Sequence, residues 1–183
     1  MLALDYNEAH PLFGGQLKVK IFVSVGGTAT PQQEAFVAAV EQRLQVEGLI
    51  PRTIGRNTFS SEAPLKSITQ LMDECVGTVV IALERTYFAR GLDRRGGPRE
   101  APLSKVKLAT PWNQIEAAMA YSRGHPLLVI VERGVKREGL LESGYDWYVQ
   151  SIDPDPAALS TAEFNGVLAS WKQKLAPAPK KRR

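Results

Sequence analysis

The chain is poor in the residue types that most often build metal sites and nucleophilic centres. Of its 183 residues, one is cysteine (Cys75) and two are histidine (His10 and His125). A single cysteine excludes a disulfide within the chain and any metal site built from several cysteines. With so few histidines, we expect neither a Ser-His-Asp hydrolase nor a carboxylate–histidine metal centre. Such cysteine usage is typical of the reducing cytoplasm.

Long apolar runs are also missing. No run approaches the roughly 20 apolar residues that a membrane span needs. The N-terminal stretch MLALDYNEAHPLFGG lacks a basic start followed by an apolar core, so we expect no secretion signal and no membrane contact. The length predicts one domain over residues 18–176, with an N-terminal extension over 1–17 and a basic tail over 177–183.

An excess of positive charge is absent from the body of the chain. Lys plus Arg total 23 against 19 acidic residues, and the last four residues, Lys180 to Arg183, account for the whole net charge of +4. Nucleic-acid binding is therefore not expected of the body. The PAPKKRR tail either contacts nucleic acid or an import receptor, or is a solvated end, and the second interpretation is the commoner one.

What the sequence does contain is an alternation of strand-like and helix-like segments. Short β-branched runs predict five strands, over residues 18–25, 49–56, 78–84, 126–132 and 145–152. Amphipathic segments between and after them predict helices over 30–47, 64–76, 110–123 and 160–175. This alternation favours an α/β fold, a flavodoxin-like three-layer sandwich with a mainly parallel five-stranded sheet in the order 2-1-3-4-5. Residues 86–109 are predicted to form a long basic loop.

Helix starts and buried stripes follow from local patterns. Thr30 with Gln33, and Ser160 with Glu163, are predicted capping boxes. Apolar residues at helical spacing predict a buried stripe on the second helix and another on the last helix, namely Leu65, Ile68, Leu71, Met72 and Cys75, and Phe164, Val167, Leu168, Trp171 and Leu175.

In open parallel sheets, ligands bind beyond the carboxyl ends of the strands. This rule selects Ser24, Gly26 and Gly27 after the first strand, and Glu84 and Arg85 after the third. The helix that contains Trp112 and Glu116 begins at the same rim.

Glu116 is the main candidate for chemistry. Helical spacing places Trp112, Ile115 and Met119 on an apolar stripe, with Glu116 at its edge. A carboxylate beside a buried stripe is costly unless it is paired or used. One interpretation is that Glu116 acts as a nucleophile or as an electrostatic stabiliser. The other is that it forms an ion pair with Arg123 or with a basic residue of the long loop.

The neighbouring candidates also have two interpretations. Trp112 either packs in the core or forms one wall of a ligand slot, and Asn113 either orients a sugar hydroxyl or is merely exposed. Gly26-Gly27-Thr28 lets the backbone approach a phosphate, although a plain tight turn explains it better. The basic loop either closes over a substrate or is solvated.

The segment Thr110-Pro111-Trp112-Asn113-Gln114-Ile115-Glu116 resembles the Ser-x-Trp-Cys-x-x-Glu signature of TIR domains. KVKIFVSVGG is similar to the first strand of that family, GRNTFSSEAP to the loop after its second strand, and CVGTVVIALERTYFARG to its third strand and exit. The resemblance spans about residues 18–135. Thr110 replaces the usual serine, Asn113 replaces cysteine, and the loop before the helix is longer.

The resemblance implies cleavage of the N-glycosidic bond of NAD⁺ in prokaryotic antiviral defence, with NAD⁺ as substrate and no metal or other cofactor. Glu116 would be catalytic, and the residues that it implies for substrate binding are Ser24, Val25, Gly26, Arg85, Trp112 and Asn113. It also implies a homo-oligomer when active, and a trigger from an activating partner protein, a signalling nucleotide or self-association.

Two alternatives stay open. The stretch NQIEAAMAYSRGHPLLVI is also similar to the glutamate helix and Gly-x-Pro turn of nucleoside 2-deoxyribosyltransferases, although Ala118 stands where they place glycine. A deoxyribosyltransferase or a nucleotide N-glycosidase is therefore one alternative. The other is a non-catalytic TIR-like module for assembly or nucleotide sensing.

Overall fold

The computed structural model describes residues 19–175, and the extension and tail predicted at the two ends lie outside this range. In chain order, the strands and α-helices are β1 (Val19–Val25), α1 (Pro31–Val46), β2 (Leu49–Arg52), α2 (Pro64–Asp73), β3 (Thr78–Ala82), β4 (Thr86–Asp93), β5 (Ala101–Leu108), α3 (Pro111–Ser122), β6 (Leu127–Glu132), β7 (Tyr148–Ile152) and α4 (Ala162–Lys174). Short 3-10 helices span Gly139–Leu141 and Pro156–Ser160. No helix within residues 19–175 is long and apolar enough to cross a membrane.

The main sheet has the order β2-β1-β3-β6-β7, and every neighbouring pair in it is parallel. Counting only its own strands, this is the predicted order 2-1-3-4-5, so the flavodoxin-like fold is confirmed. Each parallel connection requires a crossover. α1, α2 and α3 lie in the first three crossovers, whereas the connection from β6 to β7 contains only the short 3-10 helix Gly139–Leu141. Pro51 lies in the edge strand β2, where a missing backbone N–H is tolerated.

Two apolar layers hold the helices on the sheet. On one face, α1 and α4 pack through residues such as Phe36, Phe164 and Trp171. On the other face, α2 and α3 pack through Met72 and Ala117. β3 and β6 are buried along their whole length because both faces of the central sheet are covered.

The helix boundaries agree with the prediction at α1 and α3 but differ at α2 and α4. The Thr30 hydroxyl accepts a hydrogen bond from the Gln33 backbone N–H at 3.1 Å, as predicted. The cap of α4 is Thr161 rather than Ser160, because the preceding 3-10 helix includes Ser160. α2 ends at Asp73 rather than Val76, and Leu65 of its predicted stripe is exposed.

The predicted long loop between residues 86 and 109 is wrong. β4 and β5 form an antiparallel hairpin, with Tyr87 opposite Lys107 and Leu92 opposite Pro102. Its turn contains Arg94, whose φ of 51° is in the left-handed region. β4 is exposed along nearly all its length and β5 along much of its own, so the chain shows no alternation of apolar and polar residues that would indicate strands.

Candidate active site

The candidate site lies at the carboxyl ends of β1 and β3, where the chain reverses its winding direction. β1 pairs with β2 on one side and β3 on the other, which makes this the topological switch point of the sheet. α3 starts at the same rim, and the Thr110 side chain accepts a hydrogen bond from the Trp112 backbone N–H at 3.4 Å. The first turns of α3 therefore bring their inward side chains to the end of β1.

The buried face of α3 differs from the predicted stripe. Trp112 and Ile115 are each 41% exposed, whereas Asn113, Glu116, Ala117 and Ala120 are buried. The two alanines allow α3 to pack closely on the sheet. Glu116 thus lies within the buried face of the helix, not at its edge.

Replacing Trp112 by alanine should lower the free energy of unfolding by less than about 3 kcal/mol, because Trp112 is 41% exposed and its truncation leaves no closed cavity. Urea unfolding of Trp112→Ala measures this. A loss of about 3–5 kcal/mol, which is typical of a buried aromatic residue, would contradict the exposed position.

Asn113 joins α3 to the ends of β1 and β3. Its side-chain amide donates to the Ser24 hydroxyl at 3.1 Å, and its distances to the backbone oxygens of Ser24 and Ile81 are each 3.4 Å. Ser24 is fully buried, and Asn113 is 1% exposed. The Asn113 Oδ1 atom has no hydrogen-bond partner within the described residues, so one acceptor at the rim is free.

Glu116 lies one helical turn further along α3 and is 9% exposed. Burial raises the pKa of its carboxyl group to about 7, and a hydrogen bond from the Ser24 hydroxyl opposes this rise. Arg123, its predicted structural partner, instead binds Asp73 at 2.9 Å. Within residues 19–175 Glu116 forms no ion pair, so the alternative of a paired structural carboxylate is not supported.

A narrow cleft with a volume of about 10 Å³ opens beside Asn113, and neither Ser24 nor Glu116 lines it. Its lining residues are Gly26, Gly27, Leu83, Glu84, Arg85, Thr110 and Asn113. The Arg85 guanidinium donates to the Gly27 carbonyl at 3.3 Å across this cleft. The volume suits about one water molecule, so a nucleotide needs these segments to move apart.

The structure brings most of the predicted site residues together. Asn113 donates a hydrogen bond to Ser24, Glu116 lies beside Ser24, and Gly26 and Arg85 line the cleft next to Asn113. Val25 packs partly against the core on the opposite face of the sheet, so only its backbone is available to a ligand at this rim. Trp112 is exposed and does not line the cleft.

One buried network at this rim was missed by the sequence reasoning. The Glu132 carboxylate, at the end of β6, accepts from the Glu84 backbone N–H at 2.8 Å and from the Gln33 amide at 3.3 Å. The Lys107 Nζ atom forms an ion pair with the Glu84 carboxylate at 2.7 Å, which fixes the base of the hairpin to the main sheet. The sequence signal that could have indicated this network is Glu132, an acidic residue directly at the end of an apolar strand.

The start of α1, considered above as a phosphate site, is occupied by its own chain. The Ala29 backbone N–H donates to the Gln33 side chain at 2.8 Å, and the Thr28 hydroxyl donates to the Glu34 carboxylate at 2.7 Å. A carboxylate at this position would repel a phosphate. The tight-turn interpretation of Gly26-Gly27-Thr28 therefore fits the geometry better.

The segment after β2 is fastened to α1 by an arginine. Arg56 makes two hydrogen bonds to Glu34, at 2.8 and 3.0 Å, and an ion pair of 3.3 Å with Glu41. These bonds from Arg56, with a further one from Thr28, hold the pKa of Glu34 at about 2. Phe59, further along the same segment, is largely exposed.

Neither a metal cluster nor a reactive thiol is evident in the described part of the chain. No group of three His, Cys, Asp or Glu side chains within residues 19–175 is placed to hold a metal ion. Cys75 is buried, and burial raises the pKa of its thiol to about 11, which keeps it protonated at neutral pH.

Comparisons with known proteins inform the fold alone. No protein-family model matches the sequence, and no curated protein matches it significantly. Among solved structures, the chain is similar to a metal-soaked Flv1 flavodiiron core from Synechocystis sp. PCC6803, with 14% identity and a TM-score of 0.51. The match covers 88% of this chain and 36% of that one, so the chain spans about a third of its length.

Proposed function

We propose that this chain is a TIR-like enzyme that cleaves the N-glycosidic bond between nicotinamide and ribose in NAD⁺, with Glu116 as its catalytic residue. The observation that carries the proposal is a buried carboxylate at the carboxyl rim of β1, beside Ser24, that has no ion-pair partner in the described chain. Perturbed ionisable groups of this kind concentrate at functional sites. The similarity of residues 110–116 to the TIR signature supplies the substrate.

The proposed reaction needs one carboxylate and no metal. The bond from the ribose anomeric carbon to the nicotinamide nitrogen breaks, and its electron pair leaves with nicotinamide as a neutral molecule. Positive charge develops on the ribose as in an oxocarbenium ion. The Glu116 carboxylate stabilises that charge or bonds to the anomeric carbon. Water then adds there and loses a proton, giving ADP-ribose, or a hydroxyl or ring nitrogen of the same molecule adds and gives a cyclic product.

The neighbouring residues have distinct roles in this proposal. Ser24 holds the Glu116 carboxylate through its hydroxyl, and Asn113 holds Ser24. The free Asn113 Oδ1 accepts a hydrogen bond from a ribose hydroxyl. Arg85 binds the pyrophosphate after releasing the Gly27 carbonyl, and the backbone at Val25 and Gly26 lies beside it. Trp112, which is exposed, contacts only the outer part of the substrate.

The closed cleft has a consequence for regulation. Its volume of about 10 Å³ is far below the roughly 300–1,000 Å³ of typical ligand pockets. We infer that the enzyme is inactive in this conformation and that an activating partner, a signalling nucleotide or self-association opens the cleft. Opening the cleft would require Arg85 to release the Gly27 carbonyl.

Concentrated protein incubated with NAD⁺, and separately with deoxynucleosides and nucleotides, tests the proposal by chromatography of the released base. Release of nicotinamide from NAD⁺ supports it, and the co-product distinguishes hydrolysis from cyclisation. Release of base from nucleosides or nucleotides alone would favour the glycosidase alternative. Binding of NAD⁺ without release, in the assembled state, would favour a sensing module.

The pH dependence of the reaction should follow the ionisation of Glu116. Only the ionised carboxylate stabilises the cationic transition state, so kcat/KM should rise with pH and level off above an apparent pKa of about 7. Initial rates between pH 5 and pH 9 measure the profile. A constant kcat/KM across this range would contradict the assignment.

A further inference from the structure

Charge is unevenly divided between the hairpin and the rest of the described chain. Residues 85–108 contain seven basic and two acidic side chains, which gives this segment a net charge of +5. Residues 19–84 and 109–175 together contain 11 basic and 15 acidic side chains, a net charge of −4. The hairpin is thus a basic element on an acidic body.

The exposed surface of β4, β5 and their turn is here named the arginine hairpin. Phe88, Arg90 and Leu92 alternate along β4 and share one face of the ribbon, with both apolar side chains roughly half exposed. Arg95 and Arg99 follow in the turn, and neither forms an ion pair within residues 19–175. An isolated two-stranded ribbon is marginally stable in water, so a partner surface would stabilise it.

An acidic aromatic surface lies at the other end of α3. The rings of Tyr145 and Trp147 stack at 4.9 Å, and Tyr121 meets Trp147 edge to face at 5.3 Å. The Tyr121 hydroxyl donates to Asp146 at 2.8 Å, and the Tyr145 hydroxyl donates to Glu142 at 3.4 Å. These five residues are named the tyrosine–acid patch.

The tyrosine–acid patch has unused binding capacity. Neither Glu142 nor Asp146 forms an ion pair with any described residue. Glu142 also accepts from the Gly139 backbone N–H at 3.2 Å, and each carboxylate still keeps free acceptor sites. Tyr121 and Tyr145 are each about half exposed. Carboxylates beside aromatic faces are the surface to which arginine binds best, by bidentate hydrogen bonds and by stacking.

We propose that the arginine hairpin of one copy of this chain docks on the tyrosine–acid patch of a second copy. Arg95 and Arg99 would bind the two carboxylates, while Phe88 and Leu92 would cover the aromatic rings. Because the two surfaces differ, the contact is heterologous, and repetition gives a ring or an open filament rather than a two-fold dimer.

The charge distribution favours a second copy over nucleic acid as the partner. A polyanion that approached the hairpin would also meet an acidic body, whereas a second copy presents the complementary charge. Eight-residue strands make a ribbon about 26 Å long, so the contact is smaller than a standard interface of about 800 Å² per partner. We expect weak, salt-sensitive association.

Sedimentation velocity on the full chain tests the proposal without any substrate, so its outcome is separate from that of the NAD⁺ assay. Wild type should show a mass average that rises with protein concentration at low ionic strength and falls back to the monomer at high salt. R95E/R99E and E142K/D146K should each remain monomeric. An equimolar mixture of the two should associate again as alternating copies, because the acidic hairpin of R95E/R99E matches the basic patch of E142K/D146K, and the unchanged hairpin of the second variant matches the unchanged patch of the first.

The control is K66E/K174E, which changes the net charge by the same amount as R95E/R99E at exposed positions outside both surfaces, and it should associate like wild type. Circular dichroism confirms that each variant is folded. Wild type that is monomeric at every concentration at low salt overturns the proposal. So does a mixture that fails to associate, or binding of the hairpin to a single-stranded oligonucleotide without self-association.

Discussion

Replacing Glu116 by glutamine should lower the rate of nicotinamide release from NAD⁺ by roughly 1,000-fold, with a much smaller change in KM. The amide has nearly the same shape as the carboxylate and can still contact Ser24. It carries no negative charge, so it cannot stabilise the ribose cation or bond to the anomeric carbon. The loss appears in kcat because that charge develops only in the transition state.

Two further variants make this result specific. Glu116→Asp keeps the negative charge but places it farther from the ribose, because the side chain is one methylene shorter. Its rate should therefore lie between those of wild type and Glu116→Gln. Glu163→Gln removes an exposed carboxylate from the first turn of α4 and should leave the rate unchanged. A folded Glu116→Gln protein that keeps more than a tenth of the wild-type rate would remove Glu116 from the mechanism.

The main sheet was predictable because it depends on strong local patterns. The runs TVVIA and LLVIV are apolar along their whole length, which is typical of central parallel strands. Pro31 and Pro64 each follow a cap position and start a helix. Crossover handedness and short connections then leave few possible strand orders.

The orientation of α3 was not predictable from hydrophobicity. Trp112, Ile115 and Met119 form its most apolar stripe, yet the helix turns Asn113 and Glu116 towards the sheet. Small alanines at 117 and 120 permit the close approach, and hydrogen bonds from Asn113 to Ser24 and to the β3 backbone fix it. Conflict between local pattern and final structure is expected at functional sites.

The contacts at the rim between segments far apart in the chain could not be predicted from the sequence either. Glu132 meets Gln33 across 99 positions and Glu84 across 48 positions. Side-chain pairs at such separations are set by the assembled sheet and leave no local periodicity. The arginine hairpin was missed for a different reason, because its exposed strands lack a buried face.

Glu116→Gln should also stabilise the fold above neutral pH, by up to about 3 kcal/mol. The pKa of Glu116 rises from 4.5 to about 7 on folding because the carboxyl group is buried. Between those values the folded state binds more protons than the unfolded state, so stability falls as pH rises and the full cost is present above pH 7. Each pKa unit corresponds to about 1.4 kcal/mol. Glutamine is neutral at every pH and removes this cost.

Urea unfolding of wild type and Glu116→Gln at pH 4 and pH 8 measures the effect, with near-equal stabilities expected at pH 4. The matched control is Glu132→Gln, because Glu132 is also 9% exposed but accepts hydrogen bonds from Glu84 and Gln33 and faces Lys107. Loss of that ion pair should leave Glu132→Gln no more stable than wild type at pH 8. If Glu116→Gln is instead destabilised at pH 8, its carboxylate has a stabilising partner and is a structural residue. A gain at pH 8 together with loss of turnover would mean that the fold retains a destabilising charge because the reaction requires it.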